Sequence, residues 1–327
     1  MPRVVPNDED WRPCASIEAL RARALLYRRI RSFFEARGVL EVETPLASQA
    51  ATLAPALDSL ATRVTGPGSP AGRNLYLHTS PEFPMKRLLA SGSGPIFQIC
   101  KVFRDGERGS RHHPEFSLLE WYRPGFDQMR LMDEVTALLD AIGGPSRMVR
   151  RLSYAELFLE TLGLDPHWDD PAVFCAEQFP VSQRLVLSDR TAWLDYLLTH
   201  HIEPRLRGQG VVMVYDYPAN QAALARVRPG MPALASRFEV YLDGIELANG
   251  FHELNDAVEQ RRRFADDATQ RVALGKPLVP SDERFLRAID AGLPDCAGVA
   301  LGLDRWLMWQ LGVEHIDQVL AFPLERA

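Results

Sequence analysis

Residues 237–251 read RFEVYLDGIELANGF, two alternating runs that meet at Asp243-Gly244. An Asp-Gly pair supplies the positive φ angles of a type I′ turn, so this stretch is committed to an antiparallel hairpin. Other strand-like runs are 39–42, 75–79, 95–103, 116–123 and the continuously apolar VVMVY at 211–215. GVALGLDRWLMWQLG, from Gly298, reads as a glycine-punctuated strand running into a helix. Between the strands lie helical patterns. Ser16 caps a helix with Ile17, Leu20, Ala24, Tyr27, Ile30 and Phe34 on one face, and Gly38 ends it. SPEFPMKRLLASG is a proline-led helix. A third starts at Asp127, turns Met129, Met132, Val135, Leu138 and Leu139 inward, and stops at Gly143-Gly144. Ser153 and Glu156 form a capping box, Glu253 opens a long helix, and 281–291 reads as another. RVTGPGSPAGRN, at 63–74, reads as loop on composition. Strands and helices in runs, without strict βαβ alternation, predict an α+β fold with a mainly antiparallel sheet flanked by helices. With no separating linker, 1–327 is read as a single domain, with a tail over 1–15 and a helical and loop insertion over 145–210.

The chain carries a formal charge of −6, which gives no global basic field for gripping a phosphate backbone. Four cysteines without C-x-x-C spacing suggest neither zinc nor a disulfide framework. The first residues lack an apolar signal stretch, and no run of 18 apolar residues occurs, so a cytoplasmic protein without membrane contact is expected.

Chemistry concentrates in three places. Arg104 ends one strand at the mouth of RDGERGSRHHPE, and Glu120 and Tyr122 follow on the return strand. A cationic strand end beside a charged loop suits a polyphosphate, because arginine offers a fixed fork of donors. Glu246, Asn249 and Glu253 surround Phe251, and a carboxylate near a core needs a cation or a metal. Two carboxylates at that spacing suit Mg²⁺ or an ammonium, although a helix-capping role accounts equally for Glu253. Small residues at 298, 300 and 302 leave room on one strand face, and Arg305 follows in the first turn of a helix.

In order, these segments resemble the three signature motifs of class II aminoacyl-tRNA synthetases: 38–45 as motif 1, 103–116 as motif 2 and 298–305 as motif 3. TSPE at 79–82, PEFSLLEWY at 114–122 and ELANGFHELND at 246–256 are similar to the lysine-specific branch. That branch carries an OB-fold anticodon-binding domain ahead of motif 1, whereas here one helix and a short tail precede it. The truncated lysyl-type core resembles the elongation factor P (R)-β-lysine ligases. The resemblance implies ATP and Mg²⁺ as cofactors, (R)-β-lysine as substrate, elongation factor P as protein acceptor, a homodimer through motif 1, and no stable tRNA binding.

It also implies roles. Arg104 would bind the α-phosphate, Arg305 the γ-phosphate, and Phe116 would stack on adenine near His113. The family's usual acidic residue two after the motif 2 arginine is replaced by Gly106, so Asp105, Gly106 and Glu107 share the adenine-side assignment. Glu246 and the backbone of Leu247 would meet Mg²⁺-ATP, with Glu253 as a second metal candidate, and Gly302 would admit the nucleotide. Ser80, Pro81 and Glu82 would contact the amino group near the carboxylate. Glu120, Tyr122, Asn249, Phe251 and Glu253 would gather around the terminal ammonium. Ala300 stands where lysyl-tRNA synthetases usually carry glycine, a methyl that supports β-lysine over α-lysine. A tRNA-acylating paralogue and a catalytically silent regulator are the alternatives.

Overall fold

The computed structural model describes residues 11–145, 149–179, 187 and 189–327. The first ten residues of the expected tail, and 146–148, 180–186 and 188 of the expected insertion, lie outside the described residues. The chain divides into two units, one of 1–121, 256–293 and 302–327, the other of 122–255 and 294–301.

In the first unit, α1 (Ile17–Glu35) starts where the Ser16 hydroxyl accepts from the Ala19 N–H. Its buried residues are Ala19, Leu26, Ile30, Phe33 and Phe34, while Ile17 and Ala24 are exposed, so the apolar face is rotated from the expected one. Ile30 and Phe34 of the expected face are buried, and Phe34 stacks on Phe97 at 4.5 Å and meets Trp121 at 5.4 Å. β1 (Leu40–Glu41) pairs in parallel with β5 (Ile96–Phe103), and β5 in turn pairs with β6 (Glu115–Pro124). β2 (Ala47–Ser48), β3 (Ala61–Gly66) and β4 (Ser69–Leu77) form a small sheet in the order β2, β4, β3. The 63–74 segment is therefore a β-ribbon, not a loop. Its side chains are almost all exposed, so its composition is that of a surface and carries no alternation. α2 (Glu82–Ala90) is the expected proline-led helix.

α7 (Ala257–Ala273), α8 (Glu283–Gly292) and α9 (Leu303–Leu311) complete this unit. α7 is capped by Asp256, which accepts from the N–H groups of Val258 and Glu259. Glu253 therefore precedes the helix and does not open it. The capping role, which needs only one acidic side chain, falls to the residue three later.

The second unit holds α3 (Gln128–Ala141), β7 (Arg150–Ser153), α4 (Tyr154–Leu162), α5 (Pro171–Gln178) and α6 (Arg190–Leu197). β8 (Val211–Pro218), β9 (Val227–Arg228), β10 (Leu234–Leu242), β11 (Ile245–His252) and β12 (Cys296–Gly302) follow. Asp127 caps α3 as expected, but Leu131 is buried and Met129 exposed on it. The capping box of Ser153 and Glu156 opens α4. The sheet runs β12, β11, β10, β8, β7, antiparallel except for β7 on β8. The mainly antiparallel α+β arrangement is the expected one. The turn between β10 and β11 has Asp243 at φ 49° and Gly244 at φ 77°, as a type I′ turn requires.

α4 and α6, within the expected insertion, pack Tyr154, Leu157, Phe158, Leu194 and Leu197 against Val212, Val214, Tyr217, Ala235 and Tyr241 of the sheet. This interface is not wholly apolar. Glu239 accepts from the hydroxyls of Tyr217 (2.7 Å) and Tyr241 (2.6 Å) and from Arg237 (2.5 Å). Nearby, Asp195 accepts from Gln221 at 3.1 Å, and burial pushes its carboxyl up to about 6 from 3.8, against the opposing pull of Arg237. A carboxyl raised in the folded state costs stability as pH climbs through about 4 to 6 and keeps that cost above. Asp195→Asn, which retains the acceptor for Gln221, should stabilise the protein by ~2 kcal/mol at pH 7.5 and by almost nothing near pH 4, read as paired melting curves. No helix among the described residues is long and apolar enough to cross a membrane.

Candidate active site

In the first unit, β5 and β6 carry the phosphate-type cation. Arg104 follows the last residue of β5, and its N–H donates to Pro114 O at 2.9 Å, closing the loop between the strands. Its guanidinium lies 5.0 Å from the Phe116 ring centroid and 3.3 Å from Glu107. Its Nε is buried with no hydrogen-bond partner, a donor aimed at an anion the chain does not supply. Gly106 has φ +77°, so the loop turns through the left-handed region where an acidic side chain is strained, and Glu107 is the carboxylate that meets Arg104. Asp105 is exposed, and its N–H donates to Asp58 O at 2.8 Å. His113 is buried. Its Nε2 accepts from the Leu324 N–H at 2.9 Å, which puts its proton on Nδ1, donating to Glu115 O at 2.6 Å. Both ring nitrogens are thus engaged by backbone.

Arg305 sits in the first turn of α9, which starts at Gly302. One of its guanidinium nitrogens meets His112 Nε2 at 2.9 Å. The preceding residue, Asp304, is 1 % exposed and is the anchor: it takes Arg23 of α1 on one oxygen and the Ser117 N–H (2.6 Å) on the other. Arg23 also donates to Ser117 Oγ and Val319 O. One buried carboxylate so fixes the first turn of α9 against β6 and α1.

A second cluster lies at the start of α2. Ser80 Oγ donates to Glu120 Oε2 at 2.7 Å and accepts from the Glu82 N–H at 3.0 Å, with Pro81 as the helix cap. Glu82 accepts from Lys86 Nζ at 2.5 Å, one turn on, and Lys86 is fully buried beside Phe285. Glu120 is 2 % exposed, and burial together with its charge pushes the Cys100 thiol up to about 12, so that thiol stays protonated and inert at neutral pH.

In the second unit the floor is β12. A Cβ added to Gly298 would strike the Tyr122 ring and stand 2.6 Å from Glu253 Oε1. The space read from sequence as room at 298 is filled by these two buried side chains, while Ala300 stays partly open. Register places Phe251 opposite Gly298 and Asn249 opposite Ala300, so they share that face. Asn249 Oδ1 is buried without a hydrogen-bond partner. Glu253 is held by its backbone: its N–H donates to Cys296 O at 2.9 Å and its carbonyl accepts from Arg226 at 2.7 Å.

Glu246 needs a further device. Period two along β11 puts residue 246 opposite in face to 249. A bulge restores it: Val240 pairs with Ala248 but Tyr241 with Glu246, leaving buried Leu247 as the extra residue. Glu246 is then the neighbour of Tyr241, which shares a face with Glu239, and its charge helps hold the Tyr241 hydroxyl above its usual range, after burial, Glu239 and Tyr217. Among the described residues, no three His, Cys, Asp or Glu side chains form a metal cage. Glu246, half-buried on β11, is a hard oxygen donor of the type Mg²⁺ takes one or two of when phosphates complete its shell.

Sequence reasoning missed Asp304, Arg23 and Lys86. The i, i+4 spacing of Glu82 and Lys86 was a readable signal, whereas the reach of Asp304 to Arg23 and Ser117 was not. Gly298→Ala should cost ~1–3 kcal/mol in urea unfolding, because the Tyr122 ring must leave a packed position.

A sheet-borne arginine stacked on an aromatic ring, followed by a glycine-rich strand that delivers a second arginine on a helix, defines the class II synthetase type of site. The family model for class II tRNA synthetases (D, K and N) matches residues 10–326, and the chain belongs to that family. Within it, the chain is 48 % identical over 321 residues to the elongation factor P (R)-β-lysine ligase of Vibrio vulnificus (strain YJ016), covering 96 % of this chain and 98 % of the relative. The Vibrio cholerae ligase of the same name is 48 % identical over 331 residues (98 % and 100 %), and that of Klebsiella pneumoniae subsp. pneumoniae 48 % over 324 (97 % and 98 %).

Proposed function

We propose that this chain is an ATP-dependent ligase that activates (R)-β-lysine as an adenylate and transfers it to the ε-amino group of a lysine on elongation factor P. The observation that carries the reading is Arg104, a strand-end guanidinium beside the Phe116 ring whose buried Nε has no hydrogen-bond partner, which suits a phosphate oxygen. Glu253, a carboxylate 1 % exposed close to the Tyr122 ring, is of the charge that suits the terminal ammonium of a lysine-type substrate. The names of the relatives supply the acceptor and the β-amino acid.

In this reading Arg104 takes the α-phosphate through its unsatisfied Nε and stacks, with Phe116, at the adenine. Arg305 exchanges His112 for the γ-phosphate. His113 and residues 105–107 shape the loop around the nucleotide, and Gly302 lets it approach the strand. Glu246, beside Leu247, would supply the protein oxygen for Mg²⁺, leaving Glu253 to the ammonium. When bound, Mg²⁺ neutralises charge on the phosphates. Ser80, Pro81 and Glu82 face the β-amino end; Glu120, Tyr122, Asn249, Phe251 and Glu253 face the ammonium.

A substrate carboxylate oxygen attacks the α-phosphorus, the bond to the pyrophosphate oxygen breaks, and the arginines stabilise the developing charge. The acceptor amine then attacks the acyl carbon, AMP departs with the C–O bonding pair, and the amine loses a proton as the amide forms. A homodimer through motif 1, a cytoplasmic setting and no stable tRNA binding complete the proposal. So does a single catalytic domain, since the family match runs across both units.

Purified protein with ATP and (R)-β-lysine should add one β-lysyl group to elongation factor P by intact mass and leave tRNA unlabelled. Stable label on tRNA alone would overturn the reading. Arg305→Ala should abolish ATP–pyrophosphate exchange while the melting temperature holds. Ala300→Gly should shift preference toward α-lysine by about tenfold, since one methyl in a pocket is worth ~1–3 kcal/mol.

A further inference from the structure

The loop between β5 and β6 does not hold its shape alone. Arg108 gives Asp317 two hydrogen bonds, at 3.1 and 3.3 Å, and Glu325 a third at 2.6 Å. The Ile316 N–H donates to Ser110 O at 2.8 Å, and the Leu324 N–H to His113 Nε2 at 2.9 Å. All of these partners fall within 316–325, the segment that follows α9. Two of the contacts use backbone donors, and the bond from Ile316 to Ser110 is backbone at both ends.

The segment is itself anchored. Ile316, Val319 and Leu320 are buried, and Val319 O accepts from Arg23 at 2.8 Å. Leu320 O and Ala321 O accept from the N–H groups of Ala15 (3.1 Å) and Cys14 (2.8 Å). It is therefore a rail fixed to the same Arg23 that grips Asp304, beside Arg305. A polar loop of this length, left to water, pays its ordering entropy when a ligand arrives; a loop already pinned at Arg108, Ser110 and His113 has paid it in folding.

We propose that residues 316–325 are a positioning element for the nucleotide: by pinning the 104–114 loop, they hold Arg104 and Glu107 in the shape that ATP meets. This rests on the reading of Arg104 and Phe116 as the ATP site. Asp317, Leu324 and Glu325 act through the loop and are positioning residues, as is Arg108.

Leu324→Pro isolates the effect. Leu324 is exposed, starts a short 3-10 turn after an extended Pro323, and sits where a proline ring fits, so the substitution removes one N–H and little else. In ATP–pyrophosphate exchange, Leu324→Pro and Arg108→Ala should each raise KM for ATP by about tenfold. KM for the amino acid should stay within twofold, and Arg108→Lys should recover part of the loss. An unchanged KM for ATP in both variants overturns the proposal. So does a parallel rise of both KM values with a lowered melting temperature, which marks general destabilisation. Absence of exchange in the unsubstituted protein instead overturns the ATP-site reading, and this proposal with it.

Discussion

Burying a carboxylate costs more than almost any other placement in a protein, and Glu120, Glu239, Glu253 and Asp304 are four of the six that are buried among the described residues, with Glu134 and Asp282. Each demands donors, and the demand organises what surrounds it. Asp304 is met by Arg23 and the Ser117 N–H, Glu239 by Arg237 and two tyrosine hydroxyls, and Glu120 by the Ser80 hydroxyl. Removing one partner would leave an uncompensated charge, which is why these groups fix geometry more firmly than apolar packing of the same area does.

Two kinds of carboxylate result. Asp304 and Glu239 are satisfied by the chain and serve as anchors, one for the helix that begins with Arg305 and one for the packing of α4 and α6 on β8 and β10. Glu120 and Glu253 stand on faces that also carry polar groups suited to a ligand, the Ser80 hydroxyl in one unit and the Asn249 carbonyl in the other. Reactivity in such a protein is a matter of placing charge where a dicationic amino acid and a polyphosphate need it, with little covalent chemistry asked of the side chains.

Much of this was legible. The Asp243-Gly244 turn, the capping box at Ser153 and the order of the three motifs are local signals, and local signals survive in a single sequence. The apolar face of α1 was right at Ile30 and Phe34 but missed Ala19, Leu26 and Phe33, whose burial is set by tertiary packing that spacing alone does not state. The 63–74 ribbon was hidden by its exposure. The bulge that puts Glu246 on the side of Asn249 was not legible: plain alternation would set the two on opposite faces, and the extra residue at Leu247 shifts the register. Gly298 was read as leaving room on its strand face, but that room is taken by the Tyr122 ring and the Glu253 carboxylate, a long-range fact that no motif states.

The central claim is that the buried carboxylates of the site receive the far ammonium of the substrate. Calorimetric titration of the protein with (R)-β-lysine, and with the analogue in which that ammonium is replaced by a methyl group, tests it directly. The account predicts that the analogue binds at least 100-fold more weakly, since it offers a methyl group where a carboxylate-lined site takes an ammonium, a loss of ~3 kcal/mol. Equal affinities for the two compounds would contradict it.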